Sequence, residues 1–266
     1  MATTPISIPD ATPNDGRTAA DVGAFEHSAP AFSPLYQQIK TLILRSLQAS
    51  EWKPGDMIPS EFDLAARYKV SQGTVRKAID ELASEHILVR RQGKGTFVAS
   101  HHEAAHQFRF LRVMPDSGEK IDPESVLVDL RRGKAPVEIA RALGIRAGAA
   151  VHLIRRVLLF AGRPLILDEI VLAASQFPNL SAARLQEYKV SMYPFYESVY
   201  HVRMIRAEER LRAVRAEAFA AARLRVDPGA PLLCVDRIAF TYGDKPVEWR
   251  RGLCVTEGFS YFNELS

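Results

Sequence analysis

The chain has 266 residues, 47% of them hydrophobic and 25% charged, which is enough material for one large domain or two ordinary ones. The formal net charge is only +4, so any affinity for nucleic acid has to come from locally clustered charges. Two cysteines, Cys234 and Cys254, argue against a disulfide framework and suit a reducing compartment.

The sequence has no apolar run long enough to span a bilayer and no basic segment followed by an apolar one at its N-terminus. We therefore expect a cytoplasmic protein. Residues 1–30 are rich in Pro, Ala, Thr and Asp and show little periodicity, which predicts a disordered, slightly acidic tail.

A helix is predicted to begin at Pro34 and to support the helices that follow it. Its predicted apolar stripe consists of Leu35, Ile39, Leu42, Ile43 and Leu47. The segment 52–56 predicts a turn, and Met57 and Ile58 predict a short strand that can pair with a hairpin further along the chain.

Two short helices joined by a tight turn are predicted next, as in a helix-turn-helix. Ser60 is a candidate N-cap of the first helix, and Tyr68 and Val70 close it. Ser71 can cap the second helix, whose apolar positions Val75, Ile79 and Leu82 have helical spacing. The outer face of this second helix presents Gln72, Thr74, Arg76 and Lys77.

The segments 87–90 and 96–98 predict two strands joined by the turn Gln92-Gly93-Lys94-Gly95. Such a basic hairpin directly after a recognition helix is typical of a wing, in which Arg90, Arg91 and Lys94 can meet phosphates. The alternative is a small helical bundle with a solvated charged face. The succession of helix, turn, helix and hairpin favours DNA binding.

These segments contain PGDMIPSE, VSQGTVRKAIDEL and RRQGKGTFV, and residues 35–98 resemble the winged-helix DNA-binding domain of GntR-type bacterial transcription regulators, which implies a DNA-binding domain over residues 31–100. Many members of that family have arginine where Phe62 and Gln72 stand, so base preference near Gln72 is expected to differ, while Phe62 is expected to pack. The predicted DNA-binding residues are Ser60, Ser71, Gln72, Thr74, Arg76, Lys77, Arg91, Gly93 and Lys94.

Residues 101–107, HHEAAHQ, predict a linker. Its three histidines and one glutamate suggest a metal site, but no fixed spacing or distant partner supports one. We therefore prefer a polar hinge, and we assign neither a metal nor any other cofactor to the chain.

From residue 108 onward strands and helices are mixed with antiparallel hairpins, which indicates an α+β domain over residues 108–266. Strands are predicted at 108–113, 126–130, 151–160, 164–172, 202–211, 232–242 and 247–255, and helices at 136–143, 191–200 and 214–224. The turns Ala161-Gly162-Arg163 and Gly243-Asp244-Lys245 are predicted to close two hairpins.

Charged residues interrupt the apolar strands of this domain at Arg155 and Arg156, at Asp168 and Glu169, and at Glu248. Burying a charge is costly without a partner or a ligand, so these interruptions mark candidate sites. Ion pairs within a hairpin, or a solvent-facing sheet surface, explain the same pattern equally well.

Through IRRVLLFAGRPLILDE, SMYPFYESVY and PVEWRR this part resembles the UTRA effector-binding domain of HutC-type GntR regulators, which implies a chorismate-lyase-like fold with a mainly antiparallel sheet. Family members that bind phosphorylated amino sugars match this chain at several ligand-binding positions. The effector-binding residues that the resemblance implies are Arg156, Asp168, Ser191, Tyr193 and Glu248. Leu158 stands where those members have a second arginine, and Cys254 stands where they have a tyrosine. With one arginine fewer, we expect the ligand to be a small organic acid or an amino-acid-derived metabolite, and a phosphorylated compound is the weaker alternative.

The resemblance implies a homodimeric repressor, released from a palindromic operator on double-stranded DNA by a small metabolite in its C-terminal domain. The residues do not fix the sign of regulation, so an activator or a corepressor-dependent regulator stays open. An enzyme is disfavoured because no nucleophile–base pair, metal-ligand spacing or phosphate loop is visible. A nonspecific architectural DNA binder is disfavoured by the modest net charge.

Overall fold

The N-terminal helices and the wing form as the sequence predicts, in a computed structural model that describes residues 33–102, 110–119, 121–187 and 192–264. The helices are α1 (Leu35–Gln48), α2 (Glu61–Tyr68) and α3 (Gln72–Ser84), followed by the antiparallel strands β1 (Leu88–Arg91) and β2 (Gly95–Val98). Lys69, in the left-handed conformation with φ +54°, ends α2 and allows the tight turn into α3. The expected disordered tail, residues 1–30, lies outside the described residues.

The core of this part forms where α1 and α2 pack against α3, around Ile43, Leu64, Ile79 and Leu82. The predicted stripe of α1 is only partly correct, because Leu35 and Leu42 are 50% and 37% exposed. Leu35 is the first residue of α1, and the buried positions of the helix are Ile39, Ile43, Ser46 and Leu47. Periodicity identified the helix face but not how much of it is covered.

Met57 and Ile58 pair with the wing as predicted. Met57 bridges Phe97, and the amide of Ile58 donates to the carbonyl of Thr96 at 2.9 Å. Gly93 and Gly95 have φ of +69° and +110°, which is the backbone freedom that the tip of the wing requires.

The C-terminal part is built on an antiparallel sheet that has six strands in the described residues, in the order β4-β5-β6-β9-β8-β7. The strands are β4 (Glu124–Lys134), β5 (Ala150–Phe160), β6 (Arg163–Ala173), β7 (Arg206–Arg215), β8 (Pro231–Thr241) and β9 (Lys245–Cys254). Short strands β3 (Val113–Pro115) and β10 (Phe259–Tyr261) pair beside it. The helices are α4 (Val137–Ala142), α5 (Ala182–Glu187), α6 (Met192–Tyr200) and α7 (Ala218–Leu224), with a 3-10 turn at Tyr242–Asp244.

Both predicted hairpins are confirmed, because β5 pairs with β6 and β8 pairs with β9. Ala161 and Gly162 have φ of +49° and +77°, the left-handed pair that turns a two-residue hairpin. The α+β prediction is also confirmed, since an antiparallel sheet carries helices on its faces.

Three predicted elements are wrong in position. Residues 110–112 are not a strand, and residues 108–109 lie outside the described part. The strand predicted at 202–211 begins at Arg206 and continues to Arg215, because β7 pairs with β8 as far as Arg215 and Pro231. The helix predicted from 214 therefore begins only at Ala218. Tertiary pairing has overridden the helix propensity of an Ala-rich segment.

Side chains alternate between the two faces of the sheet, and each face has its own core. On one face Ile154 and Ile170 pack with Phe177 and with Phe195 and Tyr196 of α6. On the other face α4 packs over Val151 and Val171, and α7 packs over β6. No helix in the described residues has both the length and the apolar character needed to cross a bilayer.

Candidate functional sites

The first candidate site is the outer surface of α2, α3 and the wing. Ser60 and Ser71 both act as N-caps. Their hydroxyl oxygens accept hydrogen bonds from the backbone amides of Asp63 and Thr74, respectively, with a donor–acceptor distance of 3.2 Å in each. The hydroxyls of Ser71 and Thr74 also lie 2.8 Å apart and are hydrogen-bonded. The predicted residues at the start of α3 are therefore locally ordered, with Ser71 and Gln72 exposed and Thr74 half-buried.

Glu61, the first residue of α2, connects the three elements of this surface. Its carboxylate accepts from Arg76 Nε of α3 and pairs with Arg90 Nη1 of the wing, both at 2.9 Å. Gln72 Nε2 lies 3.4 Å from the same carboxylate, and Arg90 also binds Asp80 at 2.7 Å. Burial acts to raise the pKa of Glu61, but hydrogen bonds from Arg90 and Arg76 hold this pKa below its ordinary value.

The remaining predicted basic residues are also positioned by contacts. Lys77 Nζ lies 4.0 Å from the ring centroid of Tyr36, and the Arg91 guanidinium lies 4.4 Å from that of Phe97. Gly93 and Lys94 are exposed at the tip of the wing. Together these side chains give α3 and the wing a basic, exposed surface that suits phosphate contacts.

Phe62 does not pack as expected, since 73% of it is exposed. It is the second residue of α2 and follows Glu61, so it stands beside the basic surface. An exposed aromatic ring there is available for apolar contact with a thymine methyl group.

The second candidate site is a buried polar network on the face of the sheet that α6 covers. Arg156 of β5 binds Asp168 of β6, with Nε and Nη2 at 3.0 and 2.9 Å from Oδ2. Arg250 of β9 lies 3.3 Å from the same oxygen and binds Glu248 with two hydrogen bonds of 3.0 Å. Four charged side chains from three neighbouring strands are thereby brought together and excluded from solvent.

Helix α6 adds two tyrosines to this network. Tyr193 and Tyr196 donate to the two carboxylate oxygens of Glu248 at 3.2 and 2.8 Å. Arg237 of β8 donates to Tyr193 at 3.3 Å and pairs with Glu209 of β7. The network thus continues across the sheet from β5 to β7.

The structure brings together four of the five predicted effector residues, and Ser191 lies outside the described residues, next to Met192 of α6. Sequence reasoning missed Tyr196, Arg237 and Arg250. Arg250 could have been found, because it lies two residues after Glu248 and so on the same face of the strand. Arg237 interrupts the apolar strand β8 in the same manner as Arg156 interrupts β5.

Protonation within the network follows from burial and pairing. Burial acts to raise the pKa of Asp168, but Arg250 and Arg156 hold it below its ordinary value. Burial and the Glu248 carboxylate raise the pKa of Tyr196 well above its ordinary value, and they raise that of Tyr193 as well. Near neutral pH Asp168 is therefore ionised, and both tyrosines are neutral donors.

Two cavities adjoin the Arg156–Asp168 pair. One has a volume of about 390 Å³ and is lined by Arg156, Glu124, Ser125, Met192 and neighbouring apolar side chains. The other has about 40 Å³ and is lined by Asp168, Arg237, Arg250, Leu158 and Cys254 among others. The larger volume lies in the range of small-molecule sites, whereas the smaller one has room only for water.

The two departures from the family pattern, Leu158 and Cys254, line the same small cavity. Gly252 of β9 pairs with Asp168 of β6 there, and a Cβ on it would lie 3.3 Å from Oδ1 of Asp168. Glycine therefore leaves the space that this carboxylate occupies. Burial raises the pKa of the Cys254 thiol, so this side chain is neutral and makes its end of the cavity apolar.

Two histidines of the predicted linker, His101 and His102, contact other protein groups. A ring nitrogen of His101 lies 2.8 Å from the carbonyl of Met204, and one of His102 lies 2.7 Å from the hydroxyl of Ser198. The rest of the predicted linker, residues 103–107, lies outside the described part of the chain.

Comparison with known proteins matches both parts of this architecture. Residues 35–98 match the bacterial regulatory proteins of the gntR family, and residues 118–260 match the UTRA domain. The chain is 30% identical over 218 residues to the uncharacterized HTH-type transcriptional regulator YurK of Bacillus subtilis, covering 81% of this chain and 88% of YurK. It is 30% identical over 212 residues to the HTH-type transcriptional repressor NagR of Bacillus subtilis, covering 78% of this chain and 84% of NagR.

Solved structures agree with the fold. A ligand-binding domain from Bordetella bronchiseptica, assigned to the GntR family, has a TM-score of 0.58 and 45% identity and covers 59% of this chain and 98% of that domain. PhnF from Mycobacterium smegmatis has a TM-score of 0.50 with 23% identity over 86% of this chain and 99% of PhnF, which shows the likeness of fold. The chain belongs to the GntR family of bacterial regulatory proteins and is a transcriptional regulator with a C-terminal UTRA domain.

Proposed function

We propose that the protein is a cytoplasmic, homodimeric repressor that binds a palindromic operator and leaves it when a small metabolite binds the UTRA domain. Residues 31–100 form the DNA-binding domain, 101–107 the linker and 108–266 the effector domain, after an N-terminal tail of residues 1–30. The chain performs no catalysis in this role. The observation that carries the proposal is the buried network of Arg156, Asp168, Glu248 and Arg250 beside a cavity of about 390 Å³.

On the DNA side, α3 enters the major groove with Gln72, Thr74, Arg76 and Lys77, while Arg91 and Lys94 of the wing contact phosphates. Gln72 suits adenine and Arg76 suits guanine, because each side chain can form two hydrogen bonds with that base. A two-fold axis then repeats these contacts in the second half-site. The relative NagR is named a repressor, which supports the same sign of regulation here.

On the effector side, the network offers a ligand both cationic and anionic partners. The Arg156 guanidinium lines the larger cavity and can bind a carboxylate with two hydrogen bonds. Asp168 and Glu248 do not line that cavity, so they accept from ammonium or hydroxyl groups of a ligand only after it displaces some of their arginine and tyrosine partners. Leu158 and Cys254 add no positive charge, so the site is poorer in cations than one that holds a phosphate. A small organic acid or an amino-acid-derived metabolite fits these partners best, and a phosphorylated compound is the alternative.

Release follows by linkage. One arrangement of the domains cannot place both recognition helices in the operator. A metabolite that binds this arrangement more tightly lowers the affinity of the protein for DNA. The same coupling requires operator DNA to weaken binding of the metabolite by an equal factor.

The test is fluorescence anisotropy of the full chain on a duplex from the region upstream of its own gene, against a scrambled duplex, at two salt concentrations. We expect preference for the upstream duplex at the higher salt, and its release by an organic or amino acid from a metabolite panel. Equal, salt-sensitive binding to both duplexes would overturn specific recognition. Release by sugar phosphates alone would refute the proposed effector class.

A further inference from the structure

Helix α6 contacts the polar network through Tyr193 and Tyr196 and the chain after the wing through Glu197. Tyr193 and Tyr196 of α6 donate to Glu248, and Glu197, one turn after Tyr193, is only 5% exposed. The Glu197 carboxylate accepts from the hydroxyl of Ser100 and, at 3.1 Å, from the amide of His101. Ser100 lies two residues after the end of β2, so Glu197 binds the chain where it leaves the wing.

Arg203 binds the chain where it enters the wing. Its guanidinium donates to the carbonyls of His86 and Ile87 at 2.8 and 3.1 Å and to the hydroxyl of Tyr242 at 3.1 Å. His86, in the left-handed conformation with φ +57°, lies between the end of α3 and the start of β1. Arg203 therefore holds the junction between the recognition helix and the wing.

Glu197 and Arg203 are themselves paired, with Nε of Arg203 4.0 Å from Oε2 of Glu197. Both side chains are almost fully buried, at 5% and 2% exposed. At this distance the pair is electrostatic and not hydrogen-bonded, and Nε of Arg203 has no hydrogen-bond partner in the described residues. Displacement of Glu197 therefore destabilises the buried charge of Arg203. Residues 34–266 form one compact unit, to which these contacts contribute.

We infer that Glu197 and Arg203 couple the polar network to the recognition helix and the wing, and that they are the positioning residues through which an effector acts on DNA binding. This inference rests on the proposed function and specifies which residues connect the effector site to the DNA-binding elements. A ligand that competes with Tyr193 or Tyr196 for Glu248 releases α6 from the sheet. Glu197 then moves with the helix, and the base of the wing loses its two anchors at Ser100–His101 and at His86–Ile87.

The test is amide hydrogen exchange by mass spectrometry on the full chain without DNA or metabolite. Tyr196→Phe removes one hydroxyl from Glu248 and keeps the ring, so it imitates loss of that contact. We expect amides of residues 85–91 and 98–101 to exchange about fivefold faster in Tyr196→Phe, the lower end of ordinary coupling between sites. In an Arg203→Met background we expect Tyr196→Phe to change the exchange rates of these amides by less than about twofold.

Leu224→Ala is the matched control, because it opens a cavity in the core on the opposite face of the sheet and lowers overall stability without touching α6. Equal acceleration in both backgrounds, or acceleration no larger than in Leu224→Ala, would overturn the inference. If Arg203→Met does not fold, Ser100→Ala provides the second background with the same expectation. Exchange is measured without DNA, so failure of operator binding would refute the proposed function and leave this result standing.

Discussion

Arg76 of the recognition helix and Glu61 of the preceding helix form an ion pair, with Nε 2.9 Å from Oε2. The same carboxylate pairs with Arg90 of the wing. Glu61 thereby orients the guanidinium of Arg76 in the protein without DNA, and we expect this to lower the entropy that the side chain loses on binding DNA. Arg76 itself is largely exposed and accessible to a base edge.

We predict that Glu61→Gln lowers the ratio of specific to nonspecific DNA affinity about tenfold. The neutral amide no longer orients Arg76 and Arg90, while removal of a negative charge strengthens nonspecific attraction to phosphates. Anisotropy titrations on the operator and on scrambled DNA measure the ratio. Asp80→Asn is the control, since Asp80 contacts Arg90 but not Arg76. An unchanged ratio in Glu61→Gln would show that Arg76 needs no such positioning.

Gln72→Arg should change base preference at one base pair in each half-site, from adenine towards guanine, because arginine binds guanine with two hydrogen bonds. Each good base contact of this kind discriminates by about 1–3 kcal/mol. Binding-site selection with both proteins, followed by sequencing, measures the preference. Lys94→Arg on the wing is the control that should leave the selected sequence unchanged. Identical sequences selected by wild type and Gln72→Arg would contradict the contact assigned to Gln72.

The buried pair of Arg156 and Asp168 predicts a non-additive effect on stability. Arg156→Met leaves Asp168 with Arg250 alone, and we expect the free energy of unfolding to fall by about 3 kcal/mol. A second substitution, Asp168→Leu, also removes the carboxylate that has lost its partner. The loss in free energy of unfolding in the double variant should therefore be smaller than the sum of the losses in the two single variants. Urea unfolding followed by circular dichroism measures all four proteins. Additive losses would show that the two side chains do not stabilise each other.

His152 predicts a loss of stability on mild acidification. Burial is the main cause that lowers the pKa of His152 below the ordinary 6.5, and the charge of Arg132 lowers it further. A hydrogen bond to the carbonyl of Phe177 acts in the opposite direction but does not outweigh them. In the unfolded chain the imidazole binds a proton near pH 6.5, whereas in the folded chain it does so only at lower pH. The free energy of unfolding should therefore fall by at most about 1.4 kcal/mol per pH unit as the pH drops below 6.5. It should level off once the pH is below the pKa of His152 in the folded protein.

Urea unfolding between pH 7.5 and about 5.5 measures this slope, a window set by the ordinary histidine pKa. His152→Gln removes the titrating group and should flatten the pH dependence. Equal slopes in wild type and His152→Gln would assign the acid sensitivity to other groups.

Much of the candidate site could be predicted from the sequence because its residues interrupt strongly apolar strands. Arg156 and Asp168 stand out in β5 and β6, and the network confirms that both point to the buried face. Their neighbours Arg155 and Glu169 also pair, at 2.8 Å, but on the opposite face of the sheet. Alternation requires the members of each adjacent pair to separate in this way, but it does not say which member is buried.

The sequence by itself determined the elements whose signals are local. The caps Ser60 and Ser71, the basic turn of the wing and the two long hairpins all depend on residues close together in the chain. Tertiary structure decided the rest: where β7 begins, how far Leu35 and Phe62 are exposed, and that α6 contacts both Glu248 and the chain after the wing. Those features depend on strand pairing and on contacts between residues far apart in sequence, for which a local pattern of hydrophobicity or charge contains no signal.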